Sequence, residues 1–281
     1  MEVSLLAEII RRSLPDTNLQ DARLLGMGQN GAILLAGGVA YKFPKTEAAR
    51  AAMQIETESL KYIHGKFSFA TPEVVSDFLY LSPGEAFFGY VPIAGRRLVK
   101  RDYLSQPRLF QQLMDILLEI HALPVELAQG KRDFTYYRAM LSDARAFVFT
   151  QLPGRICDAI EALFSRYFDT AEYSLSVIHG DLGISNILFQ PDMEKIAGVI
   201  DWEQMSLGDP AEDIASLGCP GSLGETFLVD YEKQLKDLAL MQRARFYIST
   251  FALQETLFGA KNGVAEAFTA GLRGCIKEFG A

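Results

Sequence analysis

The chain has 281 residues, 49% of them hydrophobic and 22% charged, a composition typical of folded proteins that excludes an intrinsically disordered one. Its formal net charge of -8 argues against a nucleic-acid partner and is compatible with a cationic one, although most acidic chains are simply soluble. Three cysteines without CxxC spacing indicate neither a disulfide framework nor a zinc site. No apolar run reaches the roughly 18 residues needed to span a bilayer, and the amino terminus lacks a signal-peptide pattern, so we expect a cytoplasmic protein without membrane contact.

The first 45 residues predict a helix followed by antiparallel strands. Apolar residues recur at helical spacing across residues 2–14, and Pro15 ends this pattern. The apolar runs 32–35 and 39–43 are separated by the pair Gly37-Gly38. A helix through two adjacent glycines would be costly, so these runs predict a strand, a turn and a second strand.

The segment 24–31 contains the pattern G-x-G-x-x-G, which includes Gly28 and ends at Gly31. In a dinucleotide-binding unit the third glycine opens a helix, whereas a strand is predicted to follow here. We therefore interpret the segment as a loop between two strands, whose backbone N–H groups could contact phosphates. Because the chain has 23 glycines, an ordinary hairpin is the alternative interpretation.

Lys42 lies among apolar neighbours in the last of these strands, and a lysine there needs either solvent or an anion. Thr46 is a suitable N-cap for a helix over residues 47–64, and the apolar face of that helix includes Glu56. A carboxylate in an apolar stripe is costly unless it is paired. Lys42 is its natural partner, and the alternative is that Glu56 reaches solvent at the edge of the stripe.

Beyond this helix, strands are predicted at 73–75 and 86–91, and from about residue 93 the sequence predicts mainly helices. Apolar spacing indicates helices at about 107–122, 133–150, 154–168, 222–238, 240–261 and 264–278. His121, near the end of the first of these helices, is interpreted as no more than a C-terminal cap.

The most informative stretch combines an apolar run, a polar turn and two short apolar strands over residues 177–202. It contains Asp181, then Asn186 five residues later, and Asp201 fifteen residues beyond that. A loop and a hairpin can bring these three side chains into one space. Two carboxylates and an amide oxygen then make a site for a hard cation, with one carboxylate free to accept a proton. Phosphoryl transfer uses these groups.

Aspartate and asparagine in loops most often bond their own backbone, and this is the alternative for each of the three residues taken singly. Their order in the chain, H-G-D-x4-N followed by I-D-W, makes chance a poor explanation. His179 is interpreted as structural, with its ring bonded to the loop backbone, because Asp181 already fills the role of base.

These motifs resemble those of the protein-kinase-like fold, and specifically of the aminoglycoside phosphotransferases. The segment 200–215, which reads IDWEQMSLGDPAEDIA, is most similar to the 2''-phosphotransferase branch. The resemblance implies an α+β, bilobal protein-kinase-like fold: a small antiparallel-sheet N-lobe with one packed helix, residues 1–92, that binds the nucleotide, and a larger mostly helical C-lobe, residues 93–281, for catalysis and substrate binding.

The resemblance also implies the cofactors, ATP or GTP together with Mg²⁺. It assigns Lys42 to the α and β phosphates with Glu56 as its tether. The remaining nucleotide contacts are assigned to the glycine loop and to the hinge between the lobes, through Gly28, Gly31, Tyr90 and Ile93. Either Phe87 or Phe88 could restrict which purine fits.

For the chemical step, the resemblance makes Asp181 the catalytic base and gives Mg²⁺ to Asn186 and Asp201. It gives Asp209 and Asp213 the role of holding the catalytic loop. The sequence independently predicts Asp209 as the N-cap of a helix that begins at Pro210.

The implied substrate is a polycationic amino sugar, an aminoglycoside antibiotic inactivated by phosphorylation. Carboxylates expected to contact it are Asp181, Glu203, Glu225 and Glu255, against the alternative that the last three are solvated surface acids. Macrolide, choline or homoserine kinases on the same scaffold are alternatives, as is a pseudokinase-like binding module, although Lys42, Asp181, Asn186 and Asp201 are all present. No partner protein is indicated, and a monomer is the default expectation.

Overall fold

The structure, a computed structural model, describes residues 2–28, 30–82, 84–128, 130–170 and 173–280. The chain forms two compact units: Met1–Ile120 with Ile184–Met205, and His121–Gly183 with Ser206–Ala281. The first unit includes residues 93–120 and 184–205 besides residues 1–92, and the predicted lobe boundary at residue 92 stays a prediction.

The first unit is built on a five-stranded antiparallel sheet in the order β1-β2-β3-β5-β4. Its strands are β1 (Arg23–Met27), β2 (Gly31–Ala36), β3 (Val39–Pro44), β4 (Glu73–Ser82) and β5 (Glu85–Val91). Helix α1 (Val3–Ser13) buries Leu6, Ile9 and Ile10 in one core with Phe43 and Phe87 of the sheet. The helix predicted over residues 2–14 is therefore present, and it packs on the sheet.

Local chemistry explains the β2–β3 hairpin and the helix after it. Gly37 and Gly38 both have positive φ, 55° and 81°, a conformation that glycine adopts without steric cost and that suits a two-residue hairpin turn. Helix α2 (Glu47–Ile63) begins after Thr46, whose side chain accepts a hydrogen bond from Ala49 N. Both the turn and the cap were predicted from the sequence.

The rest of the first unit adds a smaller sheet in the order β6-β8-β9. Its strands are β6 (Arg96–Arg97), β8 (Ile187–Gln190) and β9 (Lys195–Val199), and the helices are α3 (Lys100–Ser105) and α4 (Arg108–His121), whose last residue belongs to the second unit. Leu98 N donates to Ile187 O, which continues the pairing of β6 with β8. The hairpin of β8 and β9 was predicted, whereas β6 and α3 were not.

The second unit is mainly helical. It contains α5 (Phe134–Phe147), α6 (Gly154–Phe168), β7 (Ser176–Ile178), β10 (Ser206–Gly208), α7 (Ala211–Gly218), α8 (Glu225–Leu235), α9 (Leu238–Asn262) and α10 (Ala265–Phe279), with β7 and β10 paired antiparallel. Its core is rich in aromatic rings, and Tyr137, Phe164 and Tyr247 are fully buried. Among the helices of the described ranges, none has the length and apolar content to cross a membrane.

Candidate active site

A buried lysine is surrounded by three carboxylates in the first unit. Lys42 Nζ lies 2.8 Å from Glu56 Oε2, and the two side chains are only 10% and 3% exposed. The same nitrogen lies 2.8 Å from Asp201 Oδ1 and 3.3 Å from Glu203 Oε2. The predicted ion pair between β3 and α2 is therefore present, and it is part of a larger cluster.

Burial and charge oppose each other in this cluster. Burial alone would lower the pKa of the Lys42 amine, but the three carboxylates outweigh it and hold that pKa well above its usual value. Burial raises the pKa of the Glu56 carboxyl to about 7, against the opposing effect of Lys42. Lys42 therefore stays charged, and three carboxylates around one ammonium leave a local excess of negative groups.

Glu203 connects Lys42 to the loop between β1 and β2. Its Oε2 faces Lys42, while its Oε1 accepts a hydrogen bond from Asn30 Nδ2. The Glu203 side chain is 8% exposed, so both contacts are largely shielded from water. An anion that approaches Lys42 must therefore compete with this carboxylate.

The β1–β2 loop itself is a connection between strands, as predicted. Gly28 N donates to Gly31 O at 2.9 Å, and Lys45 Nζ contacts Gly28 O. A Cβ at Gly31 would lie 2.4 Å from Phe43 O, so the close pairing of β2 with β3 requires glycine there. Gln29, which belongs to the predicted loop, lies outside the described residues.

A cavity of about 70 Å³ lies beside Lys42, and the side chains that line it include Lys42, Glu56, Asn186 and Asp201. Asn186 is almost fully buried, whereas the Asp201 side chain is 39% exposed. The structure therefore brings the two predicted metal ligands and the predicted phosphate-binding lysine to one cavity of the first unit.

Two aromatic rings also line this cavity, those of Phe88 and Tyr90 on β5. Phe87, the other candidate for this position, packs instead in the sheet core. Alternation along the strand explains this outcome, since adjacent side chains face opposite sides of a sheet. Ile93 is half-buried and approaches Gly198 of β9.

Asn186 and Asp201 fit a hard divalent cation such as Mg²⁺. An amide oxygen and a carboxylate are the oxygen ligands that this ion takes in proteins. Asp201 has a left-handed backbone conformation, with φ 68° and ψ 61°. That conformation is uncommon for residues other than glycine and is most often tolerated by aspartate and asparagine, so the backbone is held in a specific geometry at this carboxylate.

The predicted catalytic loop belongs to the second unit and is held by Asp213 on α7. Asp213 Oδ2 accepts from His179 N at 3.0 Å, and its Oδ1 accepts from Gly180 N at 2.9 Å. Asp181 N donates to His179 Nδ1 at 3.2 Å, which is the ring-to-backbone bond predicted for this histidine. These bonds fix the backbone on both sides of Gly180 and therefore the position from which the Asp181 side chain projects.

His121 corrects one prediction. Its Nε2 lies 3.0 Å from Asp213 Oδ2, so it supports the carboxylate that holds the loop and is not merely a helix cap. Burial would raise the pKa of the Asp213 carboxyl, but the hydrogen bond and charge of His121 and the contacts with His179 outweigh it, and that pKa lies below its usual range. The sequence could not show this because the two residues are 92 positions apart.

Asp209 lies just before α7 and is fully buried. Its Oδ1 accepts from Ala211 N, and its Oδ2 accepts from Arg243 Nε at 2.6 Å and from the Tyr247 hydroxyl at 3.0 Å. Helix α7 is bounded by Ala211 and Gly218, and Pro210 just before it already has helical angles, φ -48° and ψ -28°. The bond from Ala211 N to Asp209 is therefore the cap predicted from the sequence.

A second buried ion pair lies next to the loop. Arg132 Nη1 is 3.1 Å from Glu212 Oε2 and 3.4 Å from Gly180 O. Burial raises the pKa of the Glu212 carboxyl to about 7, although Arg132 opposes the shift. This pair was not predicted, since Arg132 lies outside the motifs and 80 positions from Glu212 in the chain.

The acids predicted to contact substrate lie in different settings. Glu203 is held by Lys42 and Asn30 in the first unit, as described above. Glu225, at the first turn of α8, forms a bidentate pair with Arg245 at 2.6 and 3.1 Å. Glu255 lies exposed on α9. Their contacts with substrate stay predictions.

The antiparallel sheet with its buried lysine–glutamate pair, together with the helical unit that carries the H-G-D loop, defines the protein-kinase-like class of fold. The chain belongs to the phosphotransferase enzyme family, whose match covers residues 36–247. Recognition of the family from the motifs and the prediction of an α+β fold are therefore confirmed.

Individual relatives agree with this assignment. Viomycin phosphotransferase of Streptomyces vinaceus is 37% identical over 103 residues, a segment that makes up 35% of this chain and 35% of that relative. The match therefore spans about a third of the relative's length. The GDP and kanamycin complex of the aminoglycoside 2''-phosphotransferase type IIIa matches with a TM-score of 0.87 and 21% identity, over 99% of this chain and 98% of that one. A macrolide 2'-phosphotransferase type I matches with a TM-score of 0.74 and 19% identity, over 97% and 98%. At these identities the two solved structures establish the fold.

Proposed function

We propose that the protein is a small-molecule kinase that transfers the γ-phosphoryl group of ATP or GTP to a hydroxyl of an aminoglycoside. The observation that carries the proposal is the cluster in which Lys42 meets Glu56 and Asp201 beside Asn186. A buried lysine held by a helix glutamate, next to an amide and a carboxylate, is the set of groups that binds phosphates and Mg²⁺ in kinases.

Lys42 neutralises the α and β phosphates in this proposal, and Glu56 keeps its ammonium in place. Tyr90 and Ile93 contact the nucleotide base, and Gly28 and Gly31 keep the β1–β2 loop close to the phosphates. GDP in the structurally similar aminoglycoside phosphotransferase supports a nucleotide ligand. The bound nucleotide must displace Glu203 from Lys42, since three carboxylates already surround that amine.

Asp181 orients the acceptor hydroxyl and takes its proton. The loop that carries it is held by Asp213 and by the Asp181 N to His179 bond, so little reorganisation is needed when substrate binds. Asn186 and Asp201 would hold Mg²⁺, which supplies charge neutralisation to the phosphate oxygens when it is bound.

The aminoglycoside is favoured as substrate because of the kanamycin bound in the similar structure and the exposed carboxylate of Glu255 on α9. Glu225 can contribute only if it exchanges Arg245 for an ammonium group of the substrate, and Glu203 only if it leaves Lys42. A macrolide is the second candidate substrate, supported by the structural match to a macrolide phosphotransferase.

A coupled assay for nucleoside diphosphate release tests the proposal. The purified chain is assayed with ATP and then GTP, with Mg²⁺, against kanamycin and other aminoglycosides and against a macrolide. We expect stimulation by an aminoglycoside, and a loss of turnover of about 10²–10⁴-fold in Asp181→Asn, with nucleotide affinity retained. Asp192→Asn, at an exposed turn, is the matched control.

Two outcomes would contradict the proposal in different ways. If a macrolide alone stimulated release, the aminoglycoside assignment would be wrong while the kinase assignment stood. If Asp181→Asn turned over at the parent rate, the assignment of the base would be wrong.

A further inference from the structure

The second unit contains a larger cavity, of about 410 Å³, between α6 and α9. This volume lies in the range of small-molecule binding sites, about 300–1,000 Å³. The residues assigned above to nucleotide, metal or acceptor do not line it. Its polar lining is dominated by three arginines, Arg166 from α6 and Arg243 and Arg245 from α9.

The charge of this cavity is unusual for a chain with a net charge of -8. Among the described residues that line it, none is acidic, and the other polar groups are Tyr167, Thr170, Gln242 and Ser249. The carboxylates nearby are all hydrogen-bonded. Asp209 is fully buried and accepts from Arg243, whereas Glu225 and Glu278 are exposed and accept from Arg245 and Ser249.

The three arginines differ in how firmly they are held. Arg243 is committed to the fully buried Asp209. Arg245 is paired with Glu225, but both side chains are at least half exposed, and such pairs contribute little and rearrange readily. Arg166 is exposed, and no ion pair is formed by it within the described part of the chain. Arg166 and Arg245 can therefore both turn to an anion.

The apolar part of the lining comes from Leu163, Tyr167 and Phe246. Tyr167 and Phe246 stack face to face with their ring centroids 3.9 Å apart, and they are only 2% and 6% exposed, so their rings offer little surface to a ligand. Leu163 and the aliphatic stems of the arginines therefore provide the apolar contact, with guanidinium groups at hand for an attached charge.

We propose that this cavity binds an organic anion, specifically a small apolar group that carries a phosphate or carboxylate, with Arg166 and Arg245 on the charge and with Leu163 and the arginine stems beside the apolar group. The site is separate from the proposed kinase chemistry. Its ligand has the opposite charge to an aminoglycoside, since the arginines repel a polycation.

Titration calorimetry with phenyl phosphate as the probe tests the proposal on the full chain. We expect saturable binding that weakens by about tenfold or more in Arg166→Ala, because a charge-assisted hydrogen bond is lost. Arg155→Ala, which removes an exposed arginine elsewhere on the same helix, should leave the affinity unchanged. Both positions are on the surface, so both variants should fold.

Two further probes separate charge from shape. Inorganic phosphate should bind at least about tenfold more weakly than phenyl phosphate because it gains nothing from the apolar part of the lining, and benzylamine should not bind in the cavity. Equal affinity of phenyl phosphate for the parent and Arg166→Ala would overturn the proposal. So would an inorganic phosphate affinity equal to that of phenyl phosphate, or no saturable binding of phenyl phosphate below about 10 mM.

Discussion

Lys42 Nζ and Glu56 Oε2 are 2.8 Å apart, and the pair joins β3 to α2 through two side chains that are almost entirely buried. The other Glu56 oxygen accepts from Trp202 N at 3.2 Å, so one carboxylate orients the lysine and also holds the backbone that follows Asp201. Glu56 is therefore the residue on which the geometry of the lysine and of the Asp201 segment both depend.

Glu56→Gln should weaken nucleotide binding and lower stability together. Glutamine keeps the size of the side chain but loses the charge that orients Lys42. Because Asp201 and Glu203 still face the amine, the free energy of unfolding should fall by only about 1–3 kcal/mol. Calorimetry with the nucleotide and urea unfolding measure the two effects. Glu58→Gln, on the exposed side of the same helix, is the control, and an equal effect there would contradict this role.

Glu203→Gln should strengthen nucleotide binding when Mg²⁺ is removed with a chelator. The Glu203 carboxylate competes with phosphate for Lys42 and adds a negative charge next to the triphosphate. Removing the charge should lower the nucleotide Kd by about tenfold, which corresponds to about 1.4 kcal/mol. Fluorescence of the single tryptophan, Trp202, next to Glu203 in the chain, is a suitable readout. Glu73→Gln on β4 is the exposed control, and weaker binding in Glu203→Gln would show that this carboxylate does not compete.

Asp213→Ala should destabilise the catalytic loop. The substitution leaves the buried N–H groups of His179 and Gly180 without their acceptor, at about 1–3 kcal/mol each, so the free energy of unfolding at pH 7 should fall by about 2–5 kcal/mol. The pKa of Asp213 is lowered, so its stabilising contribution is present above the unfolded pKa of about 3.9 and is lost as the pH falls below it. Parent and variant should therefore differ most above pH 4. Asp158→Asn, at an exposed position on α6, should cause no such loss.

Glu212→Gln should change how stability depends on pH. The pKa of Glu212 is raised to about 7, mainly by burial, against the opposing effects of Arg132 and Tyr137. Between about pH 4.5 and 7 the Glu212 carboxyl therefore holds its proton in the folded chain and loses it in the unfolded chain. The free energy of unfolding consequently falls as the pH rises through that window. The variant should lose that slope relative to the parent.

Urea unfolding at pH 5 and pH 8 measures this difference for both proteins. The parent should lose up to about 3 kcal/mol more than Glu212→Gln between the two pH values, at about 1.36 kcal/mol for each pKa unit. Glu126→Gln, an exposed position in the same unit, should follow the parent. A variant with the parent's pH dependence would show that Arg132 keeps Glu212 ionised throughout.

Spacing and residue chemistry along the chain were enough to predict the local elements and the chemistry of the motifs. Adjacent glycines at 37 and 38 required a turn, Thr46 capped a helix, and the apolar stripe around Glu56 demanded a cationic partner that the preceding strand supplied. Each of these depends on residues close together in the chain, where spacing and stereochemistry decide the outcome.

The contacts between residues far apart in the chain could be seen only in the folded protein. Glu203 reaches Lys42 across 161 positions, His121 reaches Asp213 across 92, and the three arginines of the second cavity come from two helices that no motif connects. These contacts arise from the packing of whole elements, which leaves no periodic pattern in the sequence. A single polar residue on the surface of a helix or strand has the same sequence context whether its side chain contacts water or a buried charge.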